Sequence, residues 1–112
     1  MYSKLLIPVA AFLWAVAGPA QAADDDKIGA DLAQAKNCLA CHQIGSRRVG
    51  PPFLGVAARY AGQAESEDYL AGSIRTGGKG RWGAVPMPAQ PRVSQEEAHA
   101  LARWILALKP GD

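Results

Sequence analysis

Cys38-Leu39-Ala40-Cys41-His42 holds both cysteines of a 112-residue chain and one of its two histidines. Two thiols three residues apart lie on one side of a helical turn, and the histidine follows the second thiol directly. Cys-x-x-Cys-His is the pattern of c-type haem attachment. Both thiols add to the vinyl groups of one porphyrin, and the imidazole of His42 is then held where it can ligate the iron from one face. The rival chemistries fit less well. A Cys-x-x-Cys redox disulfide goes with a βαβ pattern, and no stretch here alternates as a half-buried strand does. A zinc site needs two more ligands, yet His99 is the only other histidine and no cysteine remains. A structural disulfide across so short a loop would stabilise little.

Upstream, the chain opens with Lys4, an apolar run from Leu5 to Ala17, and a small-residue cleavage pattern at Ala20-Gln21-Ala22. This is the three-part secretory signal, and 13 apolar residues fall short of the roughly 20 that span a bilayer. Residues 1–22 are therefore expected to be a leader cleaved near Ala22/Ala23 on export. Residues 23–112 form one domain, small enough to need a cofactor, metal or disulfide to complete its core. Without Lys4, that domain has 11 basic and 10 acidic residues. The balance gives no ground for nucleic-acid binding or stable membrane insertion.

The rest of the domain reads as short helices joined by Gly- and Pro-rich connections, an all-α fold. Ile28, Leu32 and Ala35 make an apolar stripe on a helix from Lys27 to about Cys38. A second helix starts near Pro52, acceptable in a first turn. A third runs through Ser66–Thr76, with Ser66 as its cap and Gly77-Gly78 as its stop. The fourth begins with Ser94 and Glu97 in capping-box spacing and buries Leu101, Trp104, Ile105 and Leu108.

Between Gly77 and Ser94 lie four glycines and three prolines, a loop too long to be structureless in a small domain unless it serves a function. Trp82, Val85 and Met87 give it apolar side chains to bury. Met87 is the chain's only methionine besides Met1 and stands between Pro86 and Pro88. His/Met ligation is the arrangement of cytochromes c, and the flanking prolines reduce the entropy lost in presenting the thioether. Met87 is thus the candidate sixth ligand, across the haem from His42.

With "NCLACH", "VGPPF", "RWGAVPMP" and "EEAHALARWILAL" in that order, the chain resembles class I cytochromes c, the small bacterial c-551/c-552 group in particular. The resemblance covers nearly all of residues 23–112. It implies about four helices around one haem c, attached through Cys38 and Cys41, with His42 and Met87 as axial ligands. It further implies that the Pro51 carbonyl accepts a hydrogen bond from His42 and that the indole of Trp82 meets a haem propionate. Relatives often carry a basic residue where this chain has Ser73, pairing with a buried propionate; here either Arg75 or Lys79 is expected to compensate, or the propionate is expected to titrate higher and couple the potential to pH. Close relatives also often carry Asn, able to hydrogen-bond the methionine sulfur, where this chain has Gln90.

Two occupied axial positions leave no place for a substrate, which favours outer-sphere electron transfer over catalysis. The expected role is a periplasmic monomer carrying single electrons. Its donor would be a cytochrome or quinol-oxidising complex, and its acceptor a reductase or terminal oxidase. Permanent attachment as the haem c subunit of a periplasmic oxidoreductase is the alternative. Arg47, Arg48, Arg81 and Arg92 lie near the segments where such partners would dock.

Overall fold

A computed structural model of the chain describes residues 8, 10–14 and 20–112. The expected leader falls mostly outside the described residues. Of its described part, Phe12, Leu13 and Trp14 are exposed and belong to no core. The described residues form four helices and no strand: α1 (Ala20–Ala35), α2 (Phe53–Tyr60), α3 (Ser66–Thr76) and α4 (Gln95–Ala107). None is long and apolar enough to cross a membrane.

The first helix departs from expectation at both its end and its face. It stops at Ala35 because Asn37 takes a left-handed φ of 59°, a conformation that Asn tolerates better than most residues. Cys38 therefore opens a separate 3-10 turn, Cys38–Ala40. Of the predicted stripe only Leu32 packs, partly buried, against the core: Ile28 is 50% exposed and Ala35 is exposed, while Gly29 and Ala33 are buried. The reason is α4, which crosses α1 at Gly29, where a Cβ would lie 2.1 Å from the Cβ of Trp104. Small residues let the two helices approach where larger apolar ones would hold them apart.

Unpaired amides at the start of α2 are satisfied from the segment after His42: Phe53 N–H donates to the Gln43 carbonyl at 2.8 Å and Leu54 N–H to that of Ile44 at 2.9 Å. That exchange fixes α2 against the segment that follows Cys41-His42. On α3, Ser66 makes no cap. Its hydroxyl donates instead to the Tyr60 carbonyl at 2.5 Å, tying the end of α2 to the start of α3, and Glu65 occupies the cap position. The capping box of α4 is formed, with Glu97 N–H on Ser94 Oγ at 3.1 Å and Ser94 N–H on Glu97 Oε1 at 2.9 Å. Leu101, Trp104 and Ile105 are buried, while Leu108, just past the helix end, is partly buried against the same core.

Helix α4 packs on all three others, and its polar face is clamped to α3. Glu67 Oε1 accepts from Arg103 Nη1 at 3.0 Å and lies 3.1 Å from His99 Nδ1. Burial pushes the Glu67 carboxyl upward, but its hydrogen bonds with His99 and Arg103 prevail and hold it below the ordinary 4.5. A depressed carboxylate stabilises the fold above its unfolded pKa and loses that contribution as pH falls through the folded value. Glu67→Gln is therefore expected to lower stability at neutral pH by no more than about 1 kcal/mol, the range of exposed pairs. The gap from the parent should vanish well below pH 4.5. Urea unfolding at the two pH values checks this, and a gap that persists in acid would refute the clamp.

Candidate functional site

The 3-10 turn is the local geometry that makes the cysteine pair useful. With three residues per turn, positions i and i+3 eclipse, and Cys38 and Cys41 open onto one cavity. His42 N–H on the Cys38 carbonyl at 2.9 Å carries the turn onward to the histidine. Both thiols are free and partly buried. Burial pushes the Cys38 thiol above its ordinary value, outweighing the lowering effect of a backbone hydrogen bond. A raised thiol is a poor redox nucleophile at neutral pH, which weighs against disulfide exchange.

Gly50 N–H bonds the Cys41 carbonyl at 2.8 Å and closes the loop after the histidine. The closure sets the Pro51 carbonyl 2.8 Å from His42 Nδ1, as the resemblance implies. With Nδ1 carrying that hydrogen bond, Nε2 is the nitrogen left with a lone pair for a metal. Phe53 stacks on the imidazole, with centroids 4.8 Å apart and planes at 15°. Gly50 leaves the room the ring occupies, since a Cβ there would lie 2.6 Å from His42 Cε1. The role of Phe53 went unrecognised in the sequence, although its place directly after Pro51-Pro52 was a signal.

Across the fold, Met87 is held by its backbone. It pairs with Gly78 in an isolated antiparallel bridge, with Met87 N–H on the Gly78 carbonyl at 2.8 Å and the reverse bond at 3.0 Å. Gln90 N–H on the Ile74 carbonyl at 3.1 Å ties the loop down again just beyond. The methionine side chain is partly buried against the core. Val85, expected to be buried with it, is 63% exposed.

All of Cys38, Cys41, His42, Pro51, Trp82 and Met87 line one cavity of about 220 Å³, closed behind by Ile74, Leu101 and Ile105. The walls are mostly apolar, and no Asp or Glu is among them. The donor set (two free thiols, an imidazole tied at one nitrogen, a thioether) fits a covalently held haem with one nitrogen and one sulfur ligand. No alternative cluster of three or more His, Cys, Asp or Glu suited to a metal occurs among the described residues.

The charged rim differs from expectation. Arg75 does not line the cavity and donates instead to the Val93 carbonyl at 3.3 Å. Lys79 does line it, and so does Arg81, whose Nη1 donates to Ser73 Oγ at 2.8 Å and whose guanidinium lies over Tyr69. The loop thus brings a cation, Arg81, to the Ser73 position. Arg47 Nη2 donates to the Trp82 carbonyl at 2.7 Å, and Arg59 stacks on the Trp82 ring at 4.7 Å. No sequence signal distinguished Arg59. Gln90 lines the cavity and donates to the Pro88 carbonyl at 3.2 Å.

Known proteins bear on this geometry directly. The cytochrome c family model matches residues 27–109. Cytochrome c-552 of Hydrogenobacter thermophilus is 51% identical over 70% of this chain and 79% of its own length. Cytochrome c-552 of Nitrosomonas europaea is 49% identical over 84% and 85% of the two chains. The crystal structure of the wild-type Nitrosomonas europaea protein superposes with a TM-score of 0.70 at 50% identity, covering 71% of this chain and 99% of that one. A family match over most of the chain, a shared fold and a cavity lined by two free thiols, an imidazole and a thioether agree: the chain belongs to the cytochrome c family, the haem c electron-transfer proteins.

Proposed function

We propose that this chain is a periplasmic carrier of single electrons, with haem c attached through Cys38 and Cys41 and ligated by His42 and Met87. The observation that carries the reading is the placing of His42 and Met87 on the walls of one cavity, each secured by backbone contacts from a second segment. Bound there, haem c supplies an iron that changes oxidation state by one electron. The chain's own residues do the rest. The Pro51 carbonyl orients the His42 ring and raises its basicity. The Gly78–Met87 bridge holds the thioether in place, and a neutral thioether favours the reduced state. Ile74, Leu101 and Ile105 exclude water from the buried side, and ligands fixed by the fold keep rearrangement between oxidation states small. With His42 and Met87 both holding the iron there would be no vacancy for a substrate, which supports transfer over catalysis. The leader expected at residues 1–22 supports export.

The test is the optical spectrum of the exported protein, oxidised and reduced, after acid–acetone extraction of loose haem. Retained haem, a low-spin spectrum and the weak Met–iron charge-transfer band are expected. Met87→Ala should lose that band, become reactive to carbon monoxide, and lower the reduction potential by more than about 59 mV, a tenfold change in a one-electron equilibrium. Haem removed by the extraction would return Cys38 and Cys41 to thiol chemistry. A second polypeptide that stays bound through gel filtration would make the chain an enzyme subunit.

A further inference from the structure

The loop that carries Met87 is fixed at its base and hinged at its tip. At the base, the Gly78–Met87 bridge sets the position of the methionine. At the tip, Arg81 and Trp82 stand between Gly80 and Gly83, whose φ values are 78° and 128°. Glycine backbone has several conformations of similar energy, so the loop alone does not determine where Trp82 points. Trp82 nevertheless lines the cavity, partly buried. Its place is set by ties from other segments, and the structure supplies three. From the loop after His42, Arg47 Nη2 donates to the Trp82 carbonyl at 2.7 Å. On α3, Ser73 Oγ accepts from Arg81 Nη1 at 2.8 Å. From the last turn of α2, Arg59 Nη1 donates to the Arg81 carbonyl at 2.9 Å, while its guanidinium lies 4.7 Å from the centroid of the Trp82 ring.

The three ties are not equivalent. Arg47 and Ser73 fix backbone and a neighbouring side chain, whereas Arg59 engages the ring together with the carbonyl beside it. Tyr60, next to Arg59 in the chain, meets the same ring edge-on at 6.4 Å. A planar guanidinium can stack on an aromatic face and donate sideways to a carbonyl at once, which the point charge of a lysine cannot. We propose that Arg59 is a positioning residue for electron transfer: it holds the Trp82 indole in the cavity wall, excludes water from that side of the haem, and so raises the reduction potential. The inference rests on the cavity being the haem site. Its sign follows from charge. Oxidised iron carries one more positive charge than reduced iron, and water stabilises the higher charge better than an apolar wall does. A wall that keeps water out therefore favours the reduced state.

The experiment measures the reduction potential and the indole N–H resonances of the haem-loaded chain in both oxidation states. Arg59→Gln removes the cation and the stack together, and both losses favour the oxidised state. Arg59→Lys keeps the charge and removes the fork, so it isolates the positioning. It is expected to shift the one-electron equilibrium at least about twofold toward the oxidised form, roughly 18 mV at 59 mV per tenfold change, and to account for most of the Arg59→Gln shift. The Met–iron charge-transfer band should stay, because the bridge holds the sulfur. The paramagnetic shift of the Trp82 indole proton should change, with that of Trp104 as the unmoved reference. In a Trp82→Leu background, Arg59→Lys should move the potential no further. A Lys variant with the parent potential, or equal shifts with and without Trp82, overturns the proposal even where the thermal midpoint has fallen. Loss of the charge-transfer band in Arg59→Lys overturns it too, by placing Arg59 in support of Met87 instead. Absence of covalent haem, or of that band, in the parent fails the haem-site reading itself, before any variant is compared.

Discussion

Gly29→Ala is expected to cost the protein about 3 kcal/mol or more, the upper range of overpacking, and to leave the haem-loaded chain unfolding well below the parent temperature. A Cβ at this position would meet the Cβ of Trp104 at 2.1 Å. That atom is fixed to the α4 backbone, so no rotamer change relieves the clash and the helices must separate. Separation would open the packing of Trp104 against Phe53, now edge-to-face at 5.4 Å, and through Phe53 the support behind His42. Since the Cβ itself is the obstacle, Trp104→Phe should fail to rescue the variant. Thermal unfolding of the loaded chain measures the effect, and a midpoint within about 2 °C of the parent would mean that the helices have room to move. One kcal/mol is worth about 4–8 °C in a domain of this size.

Gly50→Ala is the second large effect, and it falls on His42, the proposed iron ligand. The new methyl would stand 2.6 Å from His42 Cε1 and 2.8 Å from Nδ1. The ring has little freedom to yield, because Phe53 stacks on it and the Pro51 carbonyl holds Nδ1 at 2.8 Å. Turning the ring breaks that hydrogen bond, and losing such a partner typically costs about 10–100-fold in metal affinity. The expected result is a mixed-spin spectrum, with haem still covalently attached and carbon monoxide binding on the His42 side. Phe53→Leu in the same chain should restore part of the low-spin signal by giving the ring somewhere to go. An unaltered spectrum for the single variant would show that the Gly50 contact does not constrain the ligand.

These two glycines mark where reading the sequence stops being sufficient. The cysteine pair, the histidine and the capping box were legible because each is a local pattern with its chemistry written into a few adjacent residues. So were the helix stop at Gly77, whose φ is 75°, and the stiff setting of Met87. The buried face of α1 was not. Periodicity favoured Ile28, but the face is decided by what crosses it, and Trp104 is far away in the chain. Ser66 failed as a cap for the same reason, its hydroxyl being taken by Tyr60 from the preceding helix. Arg81 could be seen as a charge near the loop but not as the partner of Ser73, and Arg59 gave no sign of its place over Trp82. The side chains of the cavity were largely foreseen, and the contacts that hold them were largely not.

The bridge between Gly78 and Met87 has a consequence for how such proteins diverge. Residues 79–86 form a loop already closed at its base, so its length and the position of Met87 are separable. An insertion between Gly83 and Ala84 would lengthen a closed loop, and doubling its length costs only about 0.6 kcal/mol of closure entropy. Descendant lineages can therefore add, lose or recharge residues at the tip, remaking what neighbouring proteins encounter, while the sulfur stays where the bridge puts it.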